Sequence, residues 1–108
     1  RPIVNGMMVG EELSFYWIFN WDAGSGSKGF DLKSGGTTVF NVNNTGSANI
    51  TTTNGTANTN YGTTPMLVTL TRTSASQYNF SMTSRSGGAT YSTTINSAAN
   101  IDAVDFFL

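Results

Sequence analysis

The chain has 108 residues, a formal net charge of −1 at pH 7, only 10% charged residues, and neither Cys nor His. Its few basic residues are scattered, which excludes the clustered positive charge of a nucleic-acid-binding protein, and no apolar run is long enough for insertion into a membrane. The missing Cys and His exclude disulfides, thiolate metal sites and Ser–His or Cys–His catalytic triads.

The first half of the chain alternates apolar and polar residues with a period of two, which predicts β-strands. Strands are predicted at residues 12–21, 30–32, 37–43 and 48–52. In the first strand one face carries Leu13, Phe15, Trp17, Phe19 and Trp21. Phe40 and Val42 share a face of the third strand, and a Gly-rich turn precedes it at residues 34–36. A polar loop with an Asn-Gly turn is expected over residues 54–65.

The second half is a predicted meander followed by a last strand. Its strands are placed at residues 66–72, 77–83, 90–95 and 101–108. In each of the first three strands, alternate residues share one face: Met66, Val68 and Leu70; Tyr78, Phe80 and Met82; and Tyr91, Thr93 and Ile95. In the last strand, one face carries Ile101, Ala103 and Phe107, and the other carries Val104 and Phe106. About eight short strands with frequent turns predict an all-β fold, an antiparallel, jelly-roll-like β-sandwich.

The composition predicts where such a domain works. About half of the chain is Thr, Ser, Asn and Gly, which suits a protein kept soluble by neutral polar groups. Such a protein without disulfides is typical of bacterial surfaces, so we expect an extracellular or cell-surface location. We expect one domain, residues 1–108, that is a piece of a longer chain.

The aromatic strand has two interpretations. Phe15, Trp17 and Phe19 are well suited to fill a core. A sugar site instead needs an exposed aromatic ring, which stacks on the apolar face of the sugar, beside short polar groups that bond its hydroxyls. The candidates for such a site are Trp21, Asp22, Tyr16, Asn20 and Tyr61.

Other chemistries have weaker support. The six carboxylates include the neighbours Glu11 and Glu12, and Asp102 and Asp105, whose spacing points each pair to opposite faces of a strand, so the two-carboxylate arrangement of a glycosidase is not expected. The loop "DAGSGSKGFD" holds Asp22 and Asp31, which raises a calcium site, but its spacing is not that of an EF-hand. We therefore expect neither an enzyme nor a cofactor.

Polar residues of the meander form another pattern. Thr69, Thr71, Asn79, Ser81, Ser92 and Thr94 all fall on the sides of their strands that face away from the predicted core. Such a flat hydroxyl face raises ice binding as an alternative. We expect Arg72 and Gln77 to interrupt it, so an ordinary solvated face of strand-forming residues is the simpler interpretation.

The segments "MLVTLTRTSASQYNFSMTSRSGGATYSTTI" and "IDAVDFFL" resemble the concanavalin A-like or laminin-G-like jelly-roll modules of secreted bacterial multidomain surface proteins. The stretch "SFYWIFNWDAGSGSKGFDL" is similar to the first core strand and loop of such modules. The resemblance implies an extracellular module with glycan binding as the commonest role. It covers most of the chain and assigns no individual binding residue.

Two functions follow as expectations. The first is a non-catalytic carbohydrate-binding module whose partner is a polysaccharide or glycan. The second is a structural or adhesive filament subunit that self-associates through strand edges, because jelly rolls of this kind are usually longer. The strand at residues 101–108 then either pairs with a closing strand beyond Leu108 or receives one from a neighbouring chain.

Overall fold

The computed structural model describes residues 6–17, 28–44, 50–57, 65–84 and 90–107, and all regular structure among them is β-strand. In chain order the strands are β1 (Glu12–Trp17), β2 (Lys28–Ser34), β3 (Thr37–Asn44), β4 (Ile50–Thr52), β5 (Gly55–Ala57), β6 (Met66–Ser74), β7 (Gln77–Ser84), β8 (Thr90–Asn96) and β9 (Ala103–Phe107). The predicted all-β class is confirmed.

The strands form two antiparallel sheets. The four-stranded sheet has the order β1-β6-β7-β8, and the five-stranded sheet has the order β5-β4-β3-β2-β9. The chain passes between the sheets after β1, after β5 and after β8. The result is the predicted antiparallel sandwich with jelly-roll-like crossings.

The core lies between the sheets and is built by the predicted alternation. Every second residue is buried in β7 and, from Met66 to Arg72, in β6; the apolar ones are Met66, Val68, Leu70, Tyr78, Phe80 and Met82. Phe80 of the four-stranded sheet packs against Phe40 of the five-stranded sheet with ring centroids 4.8 Å apart. Phe15 and Trp17 both make edge-to-face contacts with Phe30, at 5.3 and 5.2 Å. The described part of the aromatic strand therefore contributes its odd-numbered face to the core.

Glycines fix the β2–β3 hairpin. Gly35 and Gly36 have positive φ angles of 57° and 84°. A two-residue hairpin turn of the type that matches strand twist requires positive φ at both central positions, which glycine adopts without strain. The turn predicted at residues 34–36 is confirmed.

One prediction about the strands is wrong. The polar loop expected over residues 54–65 contains a strand, β5, whose residues Gly55 and Thr56 pair with Thr52 and Thr51 of β4. The observed turn is formed by Thr53 and Asn54, and Gly55 is the first residue of β5. β5 has no apolar alternation that would mark it as a strand. Its backbone hydrogen bonds to β4 decide its conformation.

The last strand is shorter than predicted, and both of its expected faces reach the core region. Ile101 is fully buried although it precedes β9, and Val104 is buried within the strand. Phe106 is 55% exposed, but its ring lies 5.5 Å from the Phe15 ring and 5.9 Å from the Phe30 ring. These contacts place Phe106 at the margin of the core, where β1 and β9 approach each other.

A candidate ligand-binding face

The outer surface of the four-stranded sheet carries an ordered array of polar side chains. Because side chains alternate along a strand, the residues between the core positions point away from the core. We call this array the hydroxyl face. It consists of Glu12, Ser14, Tyr16, Thr69, Thr71, Asn79, Ser81, Thr83, Thr90, Ser92 and Thr94, with one apolar residue, Leu67, among them.

The strand register aligns these side chains into three rows across the strands. The Ser14 row is Ser14–Thr69–Ser81–Ser92, and beside it the Tyr16 row is Tyr16–Leu67–Thr83–Thr90. On the other side of the Ser14 row lie Thr71, Asn79 and Thr94, with Glu12 at the β1 end; these form the Glu12 row. Neighbouring groups in a row are about 4.8 Å apart and neighbouring rows about 6.8 Å apart.

A shallow depression of about 380 Å³ lies between the Ser14 row and the Glu12 row. Its lining is polar apart from Phe80 and consists of Thr69, Thr71, Asn79, Phe80, Ser81, Ser92, Thr93 and Thr94. Among the described residues, the side chains of Thr69, Asn79 and Ser81 form no intramolecular hydrogen bond. By contrast, Thr73 Oγ1 donates to the Gln77 carbonyl oxygen, and Asn54 Nδ2 donates to Thr93 Oγ1. The depression therefore presents donors and acceptors that the fold does not use.

The two outer surfaces of the sandwich differ in the charged residues that they carry. β7 and β8 contain no charged residue. The one charged residue of β6, Arg72, is 6% exposed and points into the sandwich. Among the described residues, Glu12 at the β1 edge is therefore the one carboxylate of the hydroxyl face. On the five-stranded sheet, in contrast, Lys33 Nζ lies 3.2 Å from Asp105 Oδ2.

An apolar platform lies next to the hydroxyl rows. Tyr16 is 60% exposed, and Leu67, directly opposite it on β6, is 36% exposed. An exposed ring beside an aliphatic side chain offers a surface on which the C–H face of a sugar packs. The platform and the rows together provide both kinds of contact that a sugar ring requires.

Of the predicted site residues, the structure places Tyr16 on the hydroxyl face. Trp21, Asp22, Asn20 and Tyr61 lie outside the described residues, so their assignment stays a prediction.

The hydroxyl pattern was visible in the sequence, but one expectation about it is wrong. Arg72 does not interrupt the face, because its side chain points into the sandwich. Gln77 lies beyond the end of the array, where its Nε2 donates to Asn96 Oδ1. Leu67 was not predicted as a site residue, although its place between the core residues Met66 and Val68 could have shown its outward direction.

Asp31, one of the two carboxylates considered for calcium, lies on the five-stranded sheet. Its Oδ1 accepts a 2.6 Å hydrogen bond from Asn41 Nδ2. In the described part of the chain, no three carboxylates lie close enough together to hold a metal ion.

Within the described ranges, no helix has the length and apolar character needed to cross a membrane. No protein-family model matches this chain, and no curated protein or solved structure matches it significantly. The resemblance to concanavalin A-like modules therefore stays a prediction.

Proposed function

We propose that this protein is a non-catalytic, extracellular carbohydrate-binding module that holds its ligand on the hydroxyl face. One observation carries the proposal: exposed Tyr16 lies near a depression in which the side chains of Thr69, Asn79 and Ser81 form no hydrogen bond among the described residues. Sugar rings have an apolar face and a rim of hydroxyls, so they match a surface of this kind.

Binding would combine stacking with several modest hydrogen bonds. The Tyr16 ring packs against the apolar face of one sugar unit. Asn79, in the depression, offers an amide that both donates and accepts, while Thr69 and Ser81 offer hydroxyls that do the same. Each such hydrogen bond contributes about 0.5–1.5 kcal/mol net, so stable binding requires several sugar units of the chain to contact the face at the same time.

The arrangement of carboxylates supports binding without catalysis. A glycosidase generally places two carboxyl groups on either side of the bond that it cleaves. Among the described residues, Glu12 is the one carboxylate of the hydroxyl face, and Asp105 lies on the other sheet, paired with Lys33.

The test is retention on immobilised polysaccharides with the wild type, Tyr16→Ala and Tyr16→Phe. The protein should come from a host without N-glycosylation, because Asn79 begins an N-x-S sequence on the proposed site. We expect Tyr16→Ala to lose most of the binding and Tyr16→Phe to keep it, since the ring does the stacking. Thr38→Ala, an exposed threonine of the five-stranded sheet, is the control and should bind normally.

Two different results would contradict the proposed site and the proposed function, respectively. Wild-type binding that survives Tyr16→Ala would move the site away from the hydroxyl face. A wild type that binds no polysaccharide would overturn the carbohydrate proposal itself.

A second candidate function is self-assembly through strand edges, and the position of β9 favours it. β9 pairs with β2 on one side and ends the five-stranded sheet among the described strands, with Phe106 largely exposed. Asp105 places a charge on this strand, which opposes edge-to-edge pairing and makes this the second candidate.

Sedimentation over a range of concentrations tests it: self-association that Phe106→Lys abolishes would support assembly, and a monomer at all concentrations would exclude it.

A further inference from the structure

We infer that the ligand is a single chain of a neutral polysaccharide that runs across the strands of the hydroxyl face, along the depression between the Ser14 and Glu12 rows. This inference rests on the proposed carbohydrate-binding function and names its ligand class and direction.

The direction follows from the spacing of the polar groups. The depression is lined by residues of β6, β7 and β8, so it extends across the strands. A ligand that crosses the strands meets a polar side chain about every 4.8 Å, whereas one that follows a strand meets an outward side chain only about every 6.8 Å. The crossing direction also leads from β8 to β1, a span of about 14 Å, and the Tyr16 platform lies beside this path, on the other side of the Ser14 row.

The twist of a β-sheet favours one flexible chain over a crystalline surface. Neighbouring strands rotate by about 20–25°, so four strands accumulate about 60–75° between β1 and β8. Rows on such a surface do not lie in one plane, and a rigid lattice would touch only part of them. Tyr16 is also the one exposed aromatic residue of this face among the described strands, so no flat row of rings is present there. The same twist opposes ice binding.

The charge of the face selects neutral chains. Among the described residues that line the depression there is no basic side chain to pair with an acidic sugar, because Arg72 points into the sandwich. Glu12 stands at the β1 end of its row, next to the path of the ligand, where it would repel a carboxylate or sulfate group. An anionic chain would therefore lose its hydration there without gaining a charged partner.

The first experiment compares three kinds of probe by affinity electrophoresis and pull-down at fixed ionic strength. Galactomannan and xyloglucan serve as soluble neutral chains, polygalacturonate and alginate as soluble acidic chains, and crystalline cellulose and chitin as particles. We expect retention by at least one soluble neutral chain and much weaker retention by the acidic chains. Binding only to the crystalline particles, or equal binding to acidic chains, overturns this inference while the proposed function stands. Binding to none of the probes overturns both.

A pair of variants tests the direction of the chain. Ser92 lies at the β8 end of the Ser14 row, three strands from β1, so a chain that crosses the strands along this row contacts Ser92 and passes beside Tyr16. Ser92→Ala should weaken binding of a long neutral chain about two- to tenfold, the value of one hydrogen bond. A ligand that follows β1 would be insensitive to Ser92→Ala, and that result would overturn the crossing geometry.

Glu12→Gln tests the charge selection. This variant should raise retention by polygalacturonate about two- to threefold at low ionic strength, and the gain should shrink as salt is added. Asp105→Asn removes the same charge from the opposite surface and is the matched control. Equal gains in the two variants would mean that net charge, rather than Glu12, excludes acidic chains.

Discussion

Arg72 Nη1 donates a 2.7 Å hydrogen bond to the carbonyl oxygen of Met7, so a strand inside the four-stranded sheet holds the segment that precedes β1. The same guanidinium group donates to Asn100 Oδ1, and its Nη2 donates to the Ala75 carbonyl oxygen at 2.8 Å and the Ala98 carbonyl oxygen at 3.2 Å. These partners are neutral oxygens, and the ring of Tyr78 lies 5.2 Å below the guanidinium carbon. Arg72 thus joins three separate stretches of chain at one end of the sandwich.

Arg72→Lys is expected to destabilise the protein by about 2–4 kcal/mol, because an ammonium group cannot reach all of these carbonyl oxygens and leaves some of them buried without a donor. Urea unfolding followed by tryptophan fluorescence measures the change. Lys33→Ala is the control, since its surface ion pair with Asp105 contributes about 1 kcal/mol or less. Equal stability of Arg72→Lys and the wild type would show that the hydrogen-bond network contributes little.

The hydroxyl of Tyr78 forms a second buried connection between strand and loop. It donates a 2.6 Å hydrogen bond to the Ala99 carbonyl oxygen and accepts one of 3.1 Å from the Ile101 amide. Tyr78→Phe keeps the ring but leaves both backbone groups without this partner, so we expect a loss of about 2–4 kcal/mol in unfolding free energy.

The matched control for this substitution is Tyr91→Phe. The Tyr91 hydroxyl lies 3.0 Å from Thr52 Oγ1 in a half-buried position. Water replaces that contact more easily, so the expected loss is below about 1 kcal/mol. Thermal unfolding of both variants gives the comparison, and similar losses would contradict the role assigned to the buried Tyr78 hydroxyl.

Gly29 is expected to tolerate no side chain. A Cβ atom at this position would lie 1.9 Å from the Val42 carbonyl oxygen, a backbone atom that can move only if β2 separates from β3. Gly29→Ala should therefore cost about 3 kcal/mol or more. Gly35→Asn is the contrasting variant, because it faces open space and places Asn-Gly at a hairpin turn that favours this pair, so stability should stay within about 0.5 kcal/mol.

The sequence was sufficient to predict the sandwich where burial and alternation agree. Tyr78, Phe80 and Met82 alternate with polar residues and all three are buried, so period two alone identifies β7 and its inner face. β5 was not predicted because its residues, Gly-Thr-Ala, have no apolar pattern. They pair with β4 through backbone hydrogen bonds. Arg72 was misjudged because a charged residue is normally exposed, whereas carbonyl oxygens from distant segments satisfy its guanidinium group here.

For the candidate site, too, features within one strand could be predicted from the sequence, whereas features that depend on pairing between distant strands could not. Tyr16 was predicted from the alternation of one strand, and the outward polar residues of β6, β7 and β8 from theirs. Their alignment into rows depends on the pairing of β1 with β6, strands about fifty residues apart in the sequence, and local pattern carries no information on that register. The platform formed by Tyr16 and Leu67 was missed for this reason.

Asn79 and Asn54 give the last prediction, because we propose that the same residue type binds the ligand at one position, whereas it stabilises the fold at the other. The Asn79 side chain is exposed in the hydroxyl rows without an intramolecular hydrogen bond, so Asn79→Ala should change stability by less than about 0.5 kcal/mol. The same variant should weaken binding of a neutral polysaccharide about two- to tenfold, since it removes one donor and one acceptor from the depression.

Asn54 connects the two sheets, with Nδ2 donating to the Thr94 carbonyl oxygen at 2.9 Å and to Thr93 Oγ1 at 3.1 Å. Asn54→Ala should cost about 1 kcal/mol of stability and leave the affinity of the folded protein nearly unchanged. Urea unfolding and affinity electrophoresis on the two variants separate the effects. If Asn79→Ala lowers stability as much as Asn54→Ala and leaves binding intact, the rows are part of the scaffold and the ligand binds elsewhere.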